Sequence, residues 1–286
     1  MDLVWAGSDS GPLVVVLHGL EGSFSSPYAR RVMHAVASYG WGACLMQFRG
    51  CSGVPNRLAR CYHSGDTGDL DFLVTTLRIR WPDRALCVVG YSMGGNVLLK
   101  WLGEHGGAAP VHAAVAVSVP FELSAAAQRL NEGFSRVYQA HLLASLRMSL
   151  DRKFGTHDLP FSRRELAQVR TFHEYDDCVT APLHGFSGAN DYYARASSRQ
   201  FIPAIRVPAL ILHARDDPFL PEWAIPEASE CPSAVSLEVP ARGGHVGFIT
   251  DPLPGLIHPW LEERILAFLG SVRMPGMGAV EASTAS

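Results

Sequence analysis

An apolar run, Ala85-Leu86-Cys87-Val88-Val89, leads directly into Gly90-Tyr91-Ser92-Met93-Gly94-Gly95-Asn96 and then into a second apolar stretch ending near Gly103. This pattern predicts a strand, a sharp turn and a helix beginning at Met93. Gly90 and Gly94 flank Ser92 at the spacing G-x-S-x-G, and the reason for glycine is steric. If the turn forces the serine to positive φ, strand and helix approach so closely that a Cβ two residues to either side would collide. A serine held there presents its hydroxyl beside a helix N-terminus, whose unpaired N–H groups favour negative charge. The five-residue pattern also recurs by chance, and such a serine is ordinarily only a helix cap. Its meaning depends on whether the chain supplies a base, an acid and a second oxyanion donor.

The surrounding sequence alternates strand-like and helix-like segments. Leu13–Leu17 is a continuous apolar run, as expected of a strand buried on both faces of a parallel sheet. Ser26-Pro27 is a helix start with serine as N-cap, and Ala29, Val32, Met33 and Val36 follow at helical spacing up to Gly40. A strand over Trp41–Phe48, a long loop to Gly68 and a helix through Leu70 and Leu77 come next. After the turn at Ser92, Val111–Val119 is another strand. Short links between alternating elements predict an α/β fold with a doubly wound, mostly parallel sheet. Ligands of such sheets sit at the carboxyl ends of the strands, where both His18-Gly19 and Ser92 fall.

The alternation breaks between about Phe121 and Phe201. Helical patterning covers Leu123–Leu130, Phe134–Phe154 and Arg164–Val169, followed by a stretch read as irregular from Tyr175 to Asn190. The expected organisation is therefore a core from residues 1–120 and 201–272, a helical cap inserted at 121–200, and a disordered tail over 273–286. Strands return at Pro208–His213 and Val235–Val239, and a closing helix covers Trp260–Leu269.

The last two strands carry the missing partners. Arg215-Asp216-Asp217-Pro218 follows one, and Gly243-Gly244-His245 follows the other. Histidine suits a base because its ordinary pKa lies near neutrality, and a carboxylate would fix its tautomer. Taken singly, a Gly-Gly-His turn and an Asp-Asp-Pro turn opener are unremarkable. Jointly, at strand ends and in the order Ser…Asp…His, they assign Ser92 as nucleophile, His245 as base and Asp217 as acid. Neighbouring side chains past a strand point apart, so Asp216 is kept as the fallback acid. Oxyanion donors are expected from the backbone N–H groups of Met93 and Leu20. His18 is read as bracing its loop.

The chain has 286 residues and a formal charge of −3, which gives no reason to expect a nucleic-acid partner. Its six cysteines are scattered without a C-x-x-C pair, as in a reducing compartment. The first residues lack a leader-like pattern, and no apolar run suffices for stable membrane insertion, so a cytoplasmic protein is expected. The histidines lack metal-ligand spacing and no phosphate-cradling loop occurs; neither a metal nor a cofactor is expected.

LHGLEGSFSSPYAR (17–30), FRGCSGVPNRLARCYHSGD (48–66), GYSMGGNVLLKWLGE (90–104), TAPLHGFSGANDYYARASS (180–198), LILHARDDPFLP (210–221) and GGHVGF (243–248) together resemble the YheT-like α/β-hydrolases, bacterial relatives of α/β-hydrolase-domain esterases and phospholipases. The resemblance covers roughly residues 10 to 270. It implies the α/β-hydrolase fold and a carboxylic-ester hydrolase acting on a small-molecule ester, with Ser92, Asp217 and His245 on the family's catalytic positions. Family members carry a longer N-terminal segment, so Met1–Trp5 is read as part of the last of several preceding strands. Phe134, Tyr138, Leu142, Leu143, Leu146 and Phe186 are read as either a site for an apolar group or the cap's own core. Two alternatives to hydrolysis are an acyltransferase sharing the acyl-enzyme and a non-catalytic binding protein on this scaffold. A dehalogenase is disfavoured by serine at the turn.

Overall fold

The computed structural model describes residues 1–155, 161–248 and 259–274. Its central sheet is built from β1 (Asp2–Gly7), β2 (Leu13–Leu17), β3 (Gly42–Gln47), β4 (Leu86–Tyr91), β5 (Ala113–Val117), β6 (Ala209–Leu212) and β7 (Val235–Glu238). Their order is β1-β3-β2-β4-β5-β6-β7. β1 runs antiparallel to β3, and the remaining pairs are parallel. The α/β fold with a doubly wound, mostly parallel sheet therefore stands as read.

The apolar runs form strands because both faces of the sheet are covered. Along β2, Leu13, Val15 and Leu17 face one hydrophobic cluster, and Val14 and Val16 face the other. The first face is covered by α2 (Gly68–Arg80) and α3 (Met93–His105). The second is covered by α1 (Pro27–Ser38) and α10 (Trp260–Ser271). Each fully buried Val or Leu contributes about 1.5–3 kcal/mol relative to exposure, so a polar residue on either face of β2 would be costly. At the start of α1, Pro27 occupies the first turn as expected. The Ser26 hydroxyl, however, does not cap a helix N–H; it accepts from Ser23 N–H at 3.1 Å, closing the preceding loop instead.

Between β5 and β6 the chain leaves the sheet. It forms α4 (Leu123–Arg129), α5 (Ser135–Phe154), α6 (Arg163–Gln168), α7 (Phe172–Tyr175), α8 (Ala181–His184) and α9 (Ala189–Ala196). These helices share a separate cluster that includes Leu143, Leu146, Phe172, Tyr175 and Tyr192, with Leu20 of the sheet domain packed against it. The stretch from Tyr175 to Asn190, expected to be irregular, is instead largely helical. A π-turn over Asp176–Thr180 joins α7 to α8, with the Thr180 hydroxyl donating to Asp176 at 2.6 Å. Of the tail, Arg273 and Met274 are described, and Met274 is buried against Cys87; the rest lies outside the described residues.

The sheet order reverses between β2 and β4, whose carboxyl ends carry His18-Gly19-Leu20 and Ser92. The link after β4 is as tight as glycine permits. A Cβ on Gly90 would lie 2.5 Å from the Gly94 carbonyl oxygen, and one on Gly94 would lie 2.6 Å from that of His18. Gly94→Ala should therefore lower stability by about 3 kcal/mol, since neither contact can yield without moving backbone. Urea unfolding tests this through a lowered midpoint at unchanged slope; an unchanged midpoint would mean that α3 and β2 do not approach as described.

Candidate active site

Ser92 sits in the tight link at φ 50° and ψ −118°, a conformation held by the packing on either side. Its Oγ lies 3.0 Å from His245 Nε2. On the opposite side of the imidazole, Nδ1 lies 2.9 and 3.1 Å from the two carboxylate oxygens of Asp217. A carboxylate only accepts, so Nδ1–H donates to Asp217 and Nε2 is left to accept from the serine hydroxyl. Asp217 is almost wholly enclosed, with a side-chain exposure of 1%. Its Oδ1 also accepts from Phe219 N–H at 2.9 Å.

Asp216, the fallback acid, is directed elsewhere. Its Oδ1 accepts from the N–H groups of both Gly243 (2.9 Å) and Gly244 (2.8 Å), which pins the loop bearing His245. The two aspartates do diverge, and each restrains the histidine loop by a different route. Three further neighbours gave no signal in the sequence. Ser118, at φ 52° beyond β5, accepts from Val246 N–H at 3.0 Å. Its run, Val111–Val119, reads simply as strand. The Phe219 ring stacks on the imidazole with centroids 3.9 Å apart and planes 10° from parallel. His213 is buried beside the acid, its Nε2 3.8 Å from Asp217 Oδ2, too long for a hydrogen bond, and neither ring nitrogen has a hydrogen-bond partner.

The loop after β2 is braced by His18. Phe48 N–H donates to its Nε2 at 3.0 Å, so Nδ1 carries the proton and donates to Gly19 O at 2.7 Å. Within that loop Gly19 N–H donates to Tyr28 Oη (2.8 Å), Glu21 N–H to Tyr62 Oη (2.9 Å) and Gly22 N–H to Gly19 O (3.0 Å). Leu20 N–H is the exception, with no acceptor among the described residues. Met93 N–H, in the first turn of α3, has no acceptor within its own helix.

Ser92, Met93, Leu20 and His245 all border a cavity of about 150 Å³. One wall is apolar, formed by Leu123, Ala126, Leu130, Leu142 and Leu146. Of the side chains singled out between β5 and β6, Leu142 and Leu146 line the cavity and Leu143 is buried in the local core. Phe134 and Tyr138 are exposed instead, and Phe186 is half-buried. The cavity's more polar side carries Asp176, whose carboxyl accepts from Thr180 Oγ1 and from Tyr193 Oη at 2.8 Å; burial pushes it up to about 6. Among the described residues no group of three histidine, cysteine or acidic side chains could hold a metal ion.

Burial pushes both His18 and His213 down to about 4, and His63 and His184 shift in the same direction for the same reason. An unfolded histidine titrates near 6.5, so between there and about pH 4 the unfolded chain binds protons that the folded one refuses. Stability should be full above pH 6.5 and fall as the pH drops through that window, by up to about 1.4 kcal/mol per pH unit for each such histidine. Melting temperatures at pH 7 and pH 5 check this; Asp176, pushed up to about 6, acts in the opposite sense but is one group against four, so equal values would count against buried neutral imidazoles.

Comparison with known proteins agrees with this architecture. The model of the α/β-hydrolase fold family matches residues 12–252. YheT of Escherichia coli (strain K12) is 43% identical over 273 residues, spanning 93% of this chain and 79% of that one. Monoacylglycerol lipase of Saccharomyces cerevisiae is 32% identical over 270 residues, and the match covers 91% of this chain but only 59% of the yeast protein. Among solved structures, the Pyrococcus furiosus esterase Pf2001 superposes with a TM-score of 0.61 at 18% identity, over 96% of this chain and 87% of that one. Among the described residues no helix is long and apolar enough to cross a membrane. The tight serine link, the sheet order and these matches together place the chain in the α/β-hydrolase family.

Proposed function

We propose that this protein hydrolyses carboxylic esters through an acyl-enzyme, with Ser92, His245 and Asp217 as its catalytic triad. The observation that carries the reading is the continuous hydrogen-bond path from Ser92 Oγ through the imidazole to the enclosed carboxylate, at the edge of a partly apolar cavity. His245 Nε2 takes the serine proton as Oγ attacks the ester carbonyl. The carbonyl oxygen becomes an oxyanion that accepts from Met93 and Leu20 N–H. The imidazolium formed beside Asp217 then protonates the departing alkoxide, and the alcohol leaves. Water attacks the acyl-enzyme in the reverse sense: His245 removes its proton, the second tetrahedral intermediate collapses, and Ser92 is restored with release of the acid.

In this reading the helices between β5 and β6 form a cap whose apolar wall receives the acyl chain, and the side bearing Asp176 faces the alcohol portion. Two relatives support an ester of lipid-like character: the monoacylglycerol lipase named above and phospholipase ABHD3 of Mus musculus, 28% identical over 252 residues and covering 61% of that protein. The site asks for no cofactor, and free acid rather than a new ester is the expected product when a small alcohol is added.

A series of p-nitrophenyl esters from acetyl to palmitoyl, assayed with Ser92→Ala alongside, tests the proposal. Turnover should fall by about 10⁴-fold or more in the variant at little changed KM, and a fluorophosphonate probe should label the wild-type protein at Ser92. Folded wild-type protein inert toward both esters and probe, or a variant that keeps its turnover, would sink it.

A further inference from the structure

We propose that Glu21 is a positioning residue that couples the aim of the Leu20 N–H to the seating of α5 over the cavity. This inference rests on the reading of Leu20 as an oxyanion donor. Such a donor works only if held within hydrogen-bond distance of where the oxyanion forms, and a misplacement near 1 Å can cost roughly 100-fold in rate. What fixes Leu20 is therefore a functional question: on its own peptide unit Gly19 O accepts from His18 Nδ1 and from Gly22 N–H, and the turn so closed has Glu21 as its third residue.

Glu21 stands at φ 53°, a left-handed conformation that a residue other than glycine keeps only when its surroundings impose it. Its surroundings are unusual. Tyr62 Oη accepts from Glu21 N–H at 2.9 Å and donates to Glu21 Oε1 at 2.7 Å, clasping backbone and side chain of one residue. The other carboxylate oxygen, Oε2, accepts from Ser145 Oγ at 3.0 Å and Ser149 Oγ at 2.6 Å. Those serines are four residues apart on α5 and so share one face of the helix. Tyr62 in turn stacks on Phe48 with ring centroids 5.4 Å apart, and Phe48 N–H is held by His18. Three hydroxyls from two separate elements thus converge on one half-buried carboxylate. Among the described residues no cation lies within ion-pair distance of it.

The carboxylate is the sole polar tie between the loop after β2 and α5 among the hydrogen bonds of the described residues. Leu20 is flanked by it on one side and by the Gly19–Tyr28 bond on the other. If α5 lifts, both serine bonds break, and the left-handed turn at Glu21 is left to Tyr62 and the Gly22–Gly19 bond, so the peptide bearing Leu20 N–H is held less firmly. The seating of α5 and the placement of the Leu20 donor are then coupled, so that turnover is fastest when the inserted helices are seated on a bound substrate.

The test uses the whole protein and two separate routes to the same bond: Glu21→Gln, and Ser145→Ala with Ser149→Ala, which changes only α5. Each should lower kcat on a p-nitrophenyl ester by about 10- to 100-fold, shift KM by less than about threefold, and slow fluorophosphonate labelling of Ser92 in parallel. Combining all three substitutions should lower kcat little beyond either alone, because they break one unit. All assays run well below the melting temperature, with folding verified by circular dichroism. A serine double variant that melts earlier yet keeps kcat within twofold would overturn the coupling, as would effects that multiply in the triple variant. Ser92→Ala separates the two levels: if it abolishes turnover while these variants do not, only the role of Glu21 fails; if it does not, the hydrolase reading and this inference fall together.

Discussion

The site is governed by how closely a helix start can approach a strand end. Gly94 lies against the carbonyls of Leu17 and His18, and Gly90 against the backbone of Gly94 itself. Between those contacts Ser92 sits at φ 50°. The same approach brings the first turn of α3 beside the loop that follows β2, so Ser92, Met93 and Leu20 border one cavity. The strand-order reversal that creates the crevice and the glycines that close it are thus two expressions of one packing constraint.

Around that constraint the chain adds restraint by backbone hydrogen bonds rather than by ion pairs. His18 joins the ends of β2 and β3 through one donor and one acceptor. Ser118 and Asp216 hold the segment carrying His245 through the N–H groups of Val246, Gly243 and Gly244. Phe219 closes one face of the imidazole, and the turn from Asp217 to Phe219 is itself fixed by the acid that orients the ring. Side chains outside the path from Ser92 through His245 to Asp217 therefore set its geometry.

Sequence patterns carried the sheet well, and pointed to three polar residues that the fold brings within hydrogen-bond distance, for a physical reason. A strand buried on both faces must be apolar throughout, so Leu13–Leu17 and Leu86–Val89 announce themselves. The steric need for glycine beside Ser92 is equally local. The stretch from Tyr175 to Asn190 was opaque because short helices joined by a π-turn have no sustained period, and their aromatic side chains pack by shape. Glu21 was invisible for a different reason: its partners are 41, 124 and 128 residues away. The Ser26 hydroxyl shows the limit of a sound local rule, since the position was right and the hydrogen bond went to the loop.

Asp216 and Asp217 resemble a spare and its original, two identical carboxylates in succession. They offer no redundancy, because both are engaged at once on the same histidine segment, one through the backbone and one through the ring. Moving either into the other's place would empty the first. What distinguishes them is only the direction in which the chain leaves β6, so the difference in role is stored in the backbone of a turn and not in the chemistry of a side chain. A one-residue slip there would keep both acids and lose both functions.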